Sequence, residues 1–226
     1  GRSGTPIASW FMNEADLLIA LGSSFSDHTG IEKSKPIVQV DFDPMHLGKT
    51  HPVDCPVLGD IGQALAAFEA GLPKTLAAED QRGEIAERWK IWRDEKKSRA
   101  QDDRGDGLNS ASIFASLTEL VPENAVIAVD VGNNTYSFGR YFECTEQDVL
   151  MSGYLGSIGF SFPAAMGAWA AVQDFPEYAG RPVVSVSGDG GFGQYMAEFT
   201  TAVKYGMNIT HILLNNSELG KISKEQ

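Results

Sequence analysis

Two apolar runs that each end on a polar, turn-forming stretch constrain this chain most. Residues 183–186 (VVSV) lead into Gly188-Asp189-Gly190-Gly191, and residues 209–214 (ITHILL) lead into Asn215-Asn216. A helical pattern, roughly 195–204, lies between them. Short apolar runs bounded by turn residues read as buried strands, and strand–helix–strand is a βαβ unit. Its two strands run parallel, so Asp189 and Asn216 are expected at one carboxyl edge, where open α/β sheets bind ligands.

The chemistry that suits this pair is a metal-bound diphosphate. Glycines 188, 190 and 191 let backbone approach an anion closely. The start of the following helix offers unpaired N–H groups and the positive end of its dipole. A carboxylate beside those glycines would repel bare phosphate. It makes sense as a ligand to Mg²⁺, which takes oxygen donors and shares them with phosphate. The Asn216 amide oxygen and a nearby main-chain carbonyl are the further candidate ligands. The competing reading is a tight glycine turn, a helix-capping Asp and an Asn pair closing a strand.

Charge restricts where an anion can be held. The chain has 226 residues, with 18 basic against 30 acidic side chains and a net charge of −12. That argues against a nucleic-acid or anionic-membrane surface, so a phosphate site must be local, built from backbone N–H groups and a metal. With 42% hydrophobic residues and 24 glycines, the composition fits an α/β protein with a sizeable core. Cys55 and Cys144 fall in no metal-ligand spacing and read as two buried thiols in a reducing, cytoplasmic setting. No run is long and apolar enough to span a membrane. The first residues lack Met and enter a helix at once, and the last follow closely on the Asn-Asn strand. The chain therefore reads as a piece of a longer polypeptide.

The fold class expected is α/β, with two Rossmann-like parallel-sheet units and flanking helices, both units incomplete. Residues 1–71 form the first. They hold a helix over 5–14, with Thr5 as cap and Pro6 in the first turn, strands at 15–21, 36–42 and 56–58, and a helix over 61–70 capped by Asp60. Asp41, at the end of the second strand, echoes the acid that reads a ribose in dinucleotide folds, although a turn residue is the simpler reading. Residues 72–107 are a linker with a charged helix over 84–99. Its Ile85, Trp89 and Trp92 form a stripe suited to packing on a neighbouring domain. The polar stretch 101–107 is the best boundary. Residues 108–226 are the second unit. Ser110 caps a helix through 120, a strand at 125–129 ends in Asp130-Val131-Gly132-Asn133-Asn134, and a short strand covers 149–151. Gly156-Ser157-Ile158-Gly159 then introduces a small-residue helix over 162–172. Three strand ends, after 129, 186 and 214, thus converge with polar or glycine-rich loops.

Gly-Asp-Gly, a helix, a strand and Asn-Asn in this order resemble the thiamine-diphosphate motif, and the surrounding text resembles the pyruvate oxidase and acetolactate synthase group. The resemblance implies that Asp189, Asn216 and the main chain of Glu218 bind Mg²⁺. It implies that Gly188, Gly190 and Gly191, with Val131, Gly132, Asn133 and Asn134, hold thiamine diphosphate. The 130–134 segment matches the family's Glu-Val-Gly-Gln-His, with two Asn replacing Gln and His. Gly156 would meet the aminopyrimidine by its backbone. Ile158 would wedge between the cofactor's two rings, a role that suits a stiff β-branched side chain.

The implied activity is attack on a 2-keto acid, with pyruvate the expected substrate, then decarboxylation and carbanion transfer or oxidation. The activating glutamate is expected from an N-terminal domain of another subunit, in a homodimer or homotetramer. This chain then contributes no catalytic residue and is inactive alone. Glu198 belongs to a helix surface. VDFDPMHLGK and CPVLGD, from Val40 and Cys55, are similar to the end of the middle domain, which carries FAD in some members. Acetolactate synthases place arginines in the turn matching 22–28. None stands here, which argues against FAD and leaves His28 as a solvated loop residue. Within the family, a plain 2-keto acid decarboxylase stays open; outside it, a non-catalytic nucleotide-binding or regulatory module.

Overall fold

The computed structural model describes residues 4–23, 29–32, 34–75, 79–103, 105, 107–153 and 155–223. The turn residues 24–28, with His28, lie outside the described residues. The chain divides into two compact units, 1–95 and 96–226, each with its own parallel sheet.

In the first unit, helix α1 (Pro6–Glu14) begins at Thr5 with Pro6 in its first turn, where a missing N–H costs nothing. Strands β1 (Leu18–Leu21), β2 (Ile37–Asp41) and β3 (Cys55–Leu58) lie in that order, all parallel. Helix α2 (Ile61–Gly71) follows, with Asp60 Oδ1 accepting from Gln63 N at 3.0 Å as a side-chain cap. Helix α3 (Arg82–Ala100) begins in this unit and ends in the next. Its early turns are held on α1 by polar contacts. Trp10 Nε1 donates to Glu84 Oε1 at 3.0 Å, and the Arg88 guanidinium lies 3.5 Å from the Trp10 ring centroid. Of the expected stripe, Trp92 is buried while Ile85 stays exposed.

Asp41 settles as a turn residue. It is 4% exposed, and its Oδ1 accepts from Asp43 N at 2.9 Å while its Oδ2 lies 3.4 Å from His46 Nδ1. Buried Gln39 braces the same turn, donating to His46 O and accepting from Gly48 N. A carboxylate folded into its own turn is not presented to a ribose.

The second unit runs α4 (Ser110–Leu120), β4 (Val126–Val129), α5 (Asn133–Tyr141), β5 (Asp148–Met151), α6 (Ser161–Asp174), β6 (Val183–Gly188), α7 (Asp189–Tyr195), α8 (Glu198–Lys204), β7 (Ile209–Leu214) and α9 (Gly220–Ser223). Its parallel sheet has the order β5-β4-β6-β7. Because strand side chains alternate, each strand feeds two cores. Ile127, Val129, Val184 and Val186 pack with Phe114, Phe138 and Phe142 on one face. Val126, Ala128 and Val183 pack with Ala165, Ala168 and Val172 of α6 on the other. Small residues on that second face let α6 lie close to the sheet.

Three local expectations change. Asn109, not Ser110, caps α4: its Oδ1 accepts from Ser112 N at 2.9 Å, and Ser110 becomes the first helical residue. The expected 195–204 helix is two short helices, the first starting at Asp189. Its glycines read as loop in sequence, but lacking Cβ they pack a helical turn against neighbouring loops. Cys55 and Cys144 are both exposed free thiols rather than buried ones. Among the described residues no helix is long and apolar enough to cross a membrane.

Phe114 is fully buried and meets Phe138 edge-on at 6.0 Å, and Phe138 stacks on Phe142 at 4.6 Å. Truncating such a ring leaves a cavity as well as losing burial. Phe114→Ala should therefore destabilise the second unit by about 3–5 kcal/mol, read as a lowered midpoint in urea unfolding.

Candidate functional site

Parallel register builds the site. Gly188 pairs with Leu214, and Val129 with Val186, so the residues after β4, β6 and β7 leave the sheet at one edge. Residues 155–160, which follow β5, lie at the same edge, where a Cβ at Gly156 would be 3.7 Å from Val131 Cγ1. The loops then close on one another through glycines. A Cβ at Gly188 would lie 3.0 Å from Asn134 Nδ2, and one at Gly190 would lie 2.5 Å from Leu219 Cδ2. A Cβ at Gly220 would lie 2.9 Å from Asn133 Nδ2. The predicted segments 131–134, 156–159, 188–191 and 216–218 are therefore brought together.

Asp189, Asn216 and Glu218 form one corner of this edge. Asp189 is the first residue of α7 and half-buried. One amide atom of Asn216 sits 3.3 Å from Asp189 Oδ1 and 2.9 Å from Glu218 O. What faces that amide decides which way it turns. With nitrogen toward them it donates to both. With oxygen toward them it accepts from Glu218 N at 3.3 Å, and three oxygens then face one another. That donor set fits a hard divalent cation such as Mg²⁺. One carboxylate with two neutral oxygens leaves a divalent ion positive, free to pair with phosphate. Among the described residues no group of three His, Cys, Asp or Glu side chains could hold a metal. The corner's own turn is braced by Asn215, whose Oδ1 accepts from Ser217 N at 3.0 Å and stabilises Ser217 at φ 54°.

The start of α5 brings a helix N-terminus to this edge. Gly132 caps it at φ 105°, a conformation that favours glycine, and Asn133 and Asn134 are its first two residues. Its first turn carries no acidic side chain, so the N–H groups there keep their positive field. Gly156 and Gly159, at φ 71° and 89°, bracket Ser157 and half-buried Ile158. A Cβ at Gly159 would lie 2.6 Å from the Tyr195 ring, which places this loop against α7. Glu198 opens α8, half-buried and outside the converging loops.

Asp130 went unremarked in the sequence except as part of a turn. In the fold it is 1% exposed. Its Oδ1 accepts from Val131 N and Gly159 N, both at 2.8 Å, and its Oδ2 lies 3.5 Å from Ser161 Oγ. Burial pushes its carboxyl above the usual carboxylate value, partly offset by these hydrogen bonds. The signal in the sequence was an acid placed directly after a wholly apolar strand. Nothing in the sequence showed which amide would face it. A cavity of about 590 Å³ lies elsewhere in this unit, lined by Arg99, Asn109, Tyr136 and Arg140, and includes none of the predicted site residues.

His211 of β7 lies beneath the site, with Nε2 3.3 Å from Ser187 Oγ and its ring against Phe162 and Phe192. Burial lowers its pKa from the ordinary 6.5. Below about pH 6.5 the unfolded chain takes up a proton that the folded chain resists, so stability falls as pH drops. Urea midpoints should decline between about pH 7 and pH 5, and His211→Gln should flatten that decline.

Residues 1–68 match the family described as thiamine pyrophosphate enzyme, central domain, and residues 130–226 match thiamine pyrophosphate enzyme, C-terminal TPP binding domain. Over its full length the chain is 34% identical to YdaP of Bacillus subtilis, whose name describes it as thiamine pyrophosphate-containing, and covers 38% of that protein. It is 31% identical to the acetolactate synthase large subunit of Parasynechococcus marenigrum, covering 36% of it. It is 32% identical to the acetolactate synthase large subunit of Haemophilus influenzae, covering 39%. The chain thus spans under two-fifths of the length of these relatives.

Proposed function

The chain belongs to the thiamine pyrophosphate enzymes, and on that premise we propose that it supplies the diphosphate- and Mg²⁺-holding half of an active site for 2-keto acids, with pyruvate as the substrate. The observation that carries this reading is the meeting of the Asn216 amide with Asp189 Oδ1 and Glu218 O. In this reading residues 1–71 are the end of the middle domain, 72–107 a linker and 108–226 the cofactor domain. Its relatives named as acetolactate synthases favour decarboxylation followed by transfer of the two-carbon unit.

Each segment then has one task. Asp189, Asn216 and the Glu218 carbonyl hold the metal. The α5 start at Gly132–Asn134 and the bare backbone of Gly188, Gly190 and Gly191 hold the diphosphate. Gly156 faces the pyrimidine, and Ile158 holds the cofactor bent. Bound thiamine diphosphate supplies the electron sink for decarboxylation; the protein binds, orients and shields it. The glutamate that activates the pyrimidine comes from outside these residues, in another subunit of a homo-oligomer. The chain alone is accordingly inactive. The protein works in the cytoplasm, where free thiols such as Cys55 and Cys144 stay reduced.

Isothermal titration of the full-length protein with thiamine diphosphate should show binding that depends on Mg²⁺, and Asp189→Ala should abolish it while leaving the unfolding midpoint unchanged. Binding indifferent to Mg²⁺, or retained by Asp189→Ala, would overturn the assignment. The visible absorbance of the same purified protein reports flavin: its absence is expected, and a bound flavin would reassign the first unit.

A further inference from the structure

Four segments of the second unit meet at one buried residue. The main chain of Asp130 ends β4, its N–H donates to Val186 O of β6 at 2.9 Å, and its carbonyl accepts from Thr135 Oγ1 in the first turn of α5 at 2.6 Å. Its side chain accepts from Val131 N and Gly159 N and lies near the Oγ of Ser161, the first residue of α6. Oδ2, the oxygen that faces Ser161, also abuts α7. A Cβ at Gly191 would lie 2.2 Å from Asp130 Oδ2 and 3.3 Å from Gly159 N. Among the described residues no basic side chain pairs with this carboxylate.

We propose that Asp130 is a positioning residue: it sets the 156–159 loop, and with it Ile158, against the α5 start and α7, so that the ring-facing loop keeps a set distance from the diphosphate- and metal-holding loops. This rests on the proposed function, because it assigns those loops to the two ends of thiamine diphosphate. The geometry explains three features together. A charge is buried without a cation because two main-chain N–H groups need a strong acceptor at that point. Position 191 is glycine because any side chain would displace the carboxylate. Gly159 sits at φ 89° with its N–H on Asp130 Oδ1, and a Cβ there would meet the Tyr195 ring at 2.6 Å.

The test uses full-length protein with Asp130→Ala and Asp130→Asn. Affinities for thiamine diphosphate and for inorganic pyrophosphate are measured with Mg²⁺, together with hydrogen–deuterium exchange over 156–161. Asp130→Ala should weaken thiamine diphosphate by about 10–100-fold, the usual effect of removing a residue that orients ligand-holding groups. It should weaken pyrophosphate several-fold less and speed exchange in 156–161. Asp130→Asn keeps an acceptor for both N–H groups and should restore most of the affinity and protection.

Wild-type thiamine diphosphate affinity in Asp130→Ala would overturn the role, as would equal losses for the two ligands, which would mean general loosening. Failure of Asp130→Asn to improve on Asp130→Ala would do the same. No binding by the wild-type protein would overturn the proposed function and this role with it. Should Asp130→Ala not fold, Asp130→Ser carries the test: its hydroxyl is one bond shorter than the carboxylate that accepts from Gly159 N, so the same selective loss and faster exchange are expected, and their absence overturns the proposal.

Discussion

Parallel strand pairing is the constraint on which the second unit depends. In β5-β4-β6-β7 every strand points the same way, so every loop that follows a strand opens at one edge. An antiparallel partner would have sent its loop to the opposite edge and split the site. The register adds precision to direction. Gly188 lies beside Leu214, so Asp189 and the Asn215-Asn216 pair leave the sheet next to one another. The proposed metal corner is therefore a consequence of how β6 and β7 pair, before any side-chain contact is considered.

Close packing of those loops has a stability cost. Buried Asp130 keeps a carboxylate in an apolar setting, and its raised pKa means that its charge at neutral pH opposes folding. The hydrogen bonds from Val131 and Gly159 only partly offset this. Glycines at 132, 156 and 159 hold left-handed conformations that cost other residues free energy. Glycine takes these conformations without steric strain, so the cost to be offset is that of Asp130, and the surrounding fold offsets it. Here the surrounding fold is the pair of apolar cores on the two faces of the sheet, one around Phe114 and Phe138 and one around α6. The cores supply the stability that the edge gives up.

Electrostatics explains why the site is made largely of backbone. A chain of net charge −12 has no general attraction for an anion. The α5 start, the bare glycines and the amides of Asn133 and Asn134 provide donors without a positively charged side chain. A cation held by one carboxylate and two neutral oxygens would supply the remaining positive charge locally. On the proposed reading, a corner of one carboxylate, Asp189, with the Asn216 amide and Glu218 O would leave a divalent ion positive enough to pair with phosphate.

The sequence by itself determined the α/β class, the strand runs and the Gly-Asp-Gly and Asn-Asn pair, because buried parallel strands are short apolar runs and their ends must carry turn-forming residues. Asp60 was legible as a cap for the same local reason. Features that depend on one segment meeting another were not legible. Periodicity could not show that the glycines after β6 form a helical turn, since a glycine's tolerance of close packing matters only once a neighbour is in place. Asp41 was legible as a turn residue, but only the fold showed what its carboxylate meets there, Asp43 N–H and His46. Asp130 looked like one turn residue among five. Only the tertiary structure decided that it is the junction of four segments, because the N–H group that completes its carboxylate belongs to Gly159, a neighbour that folding alone provides.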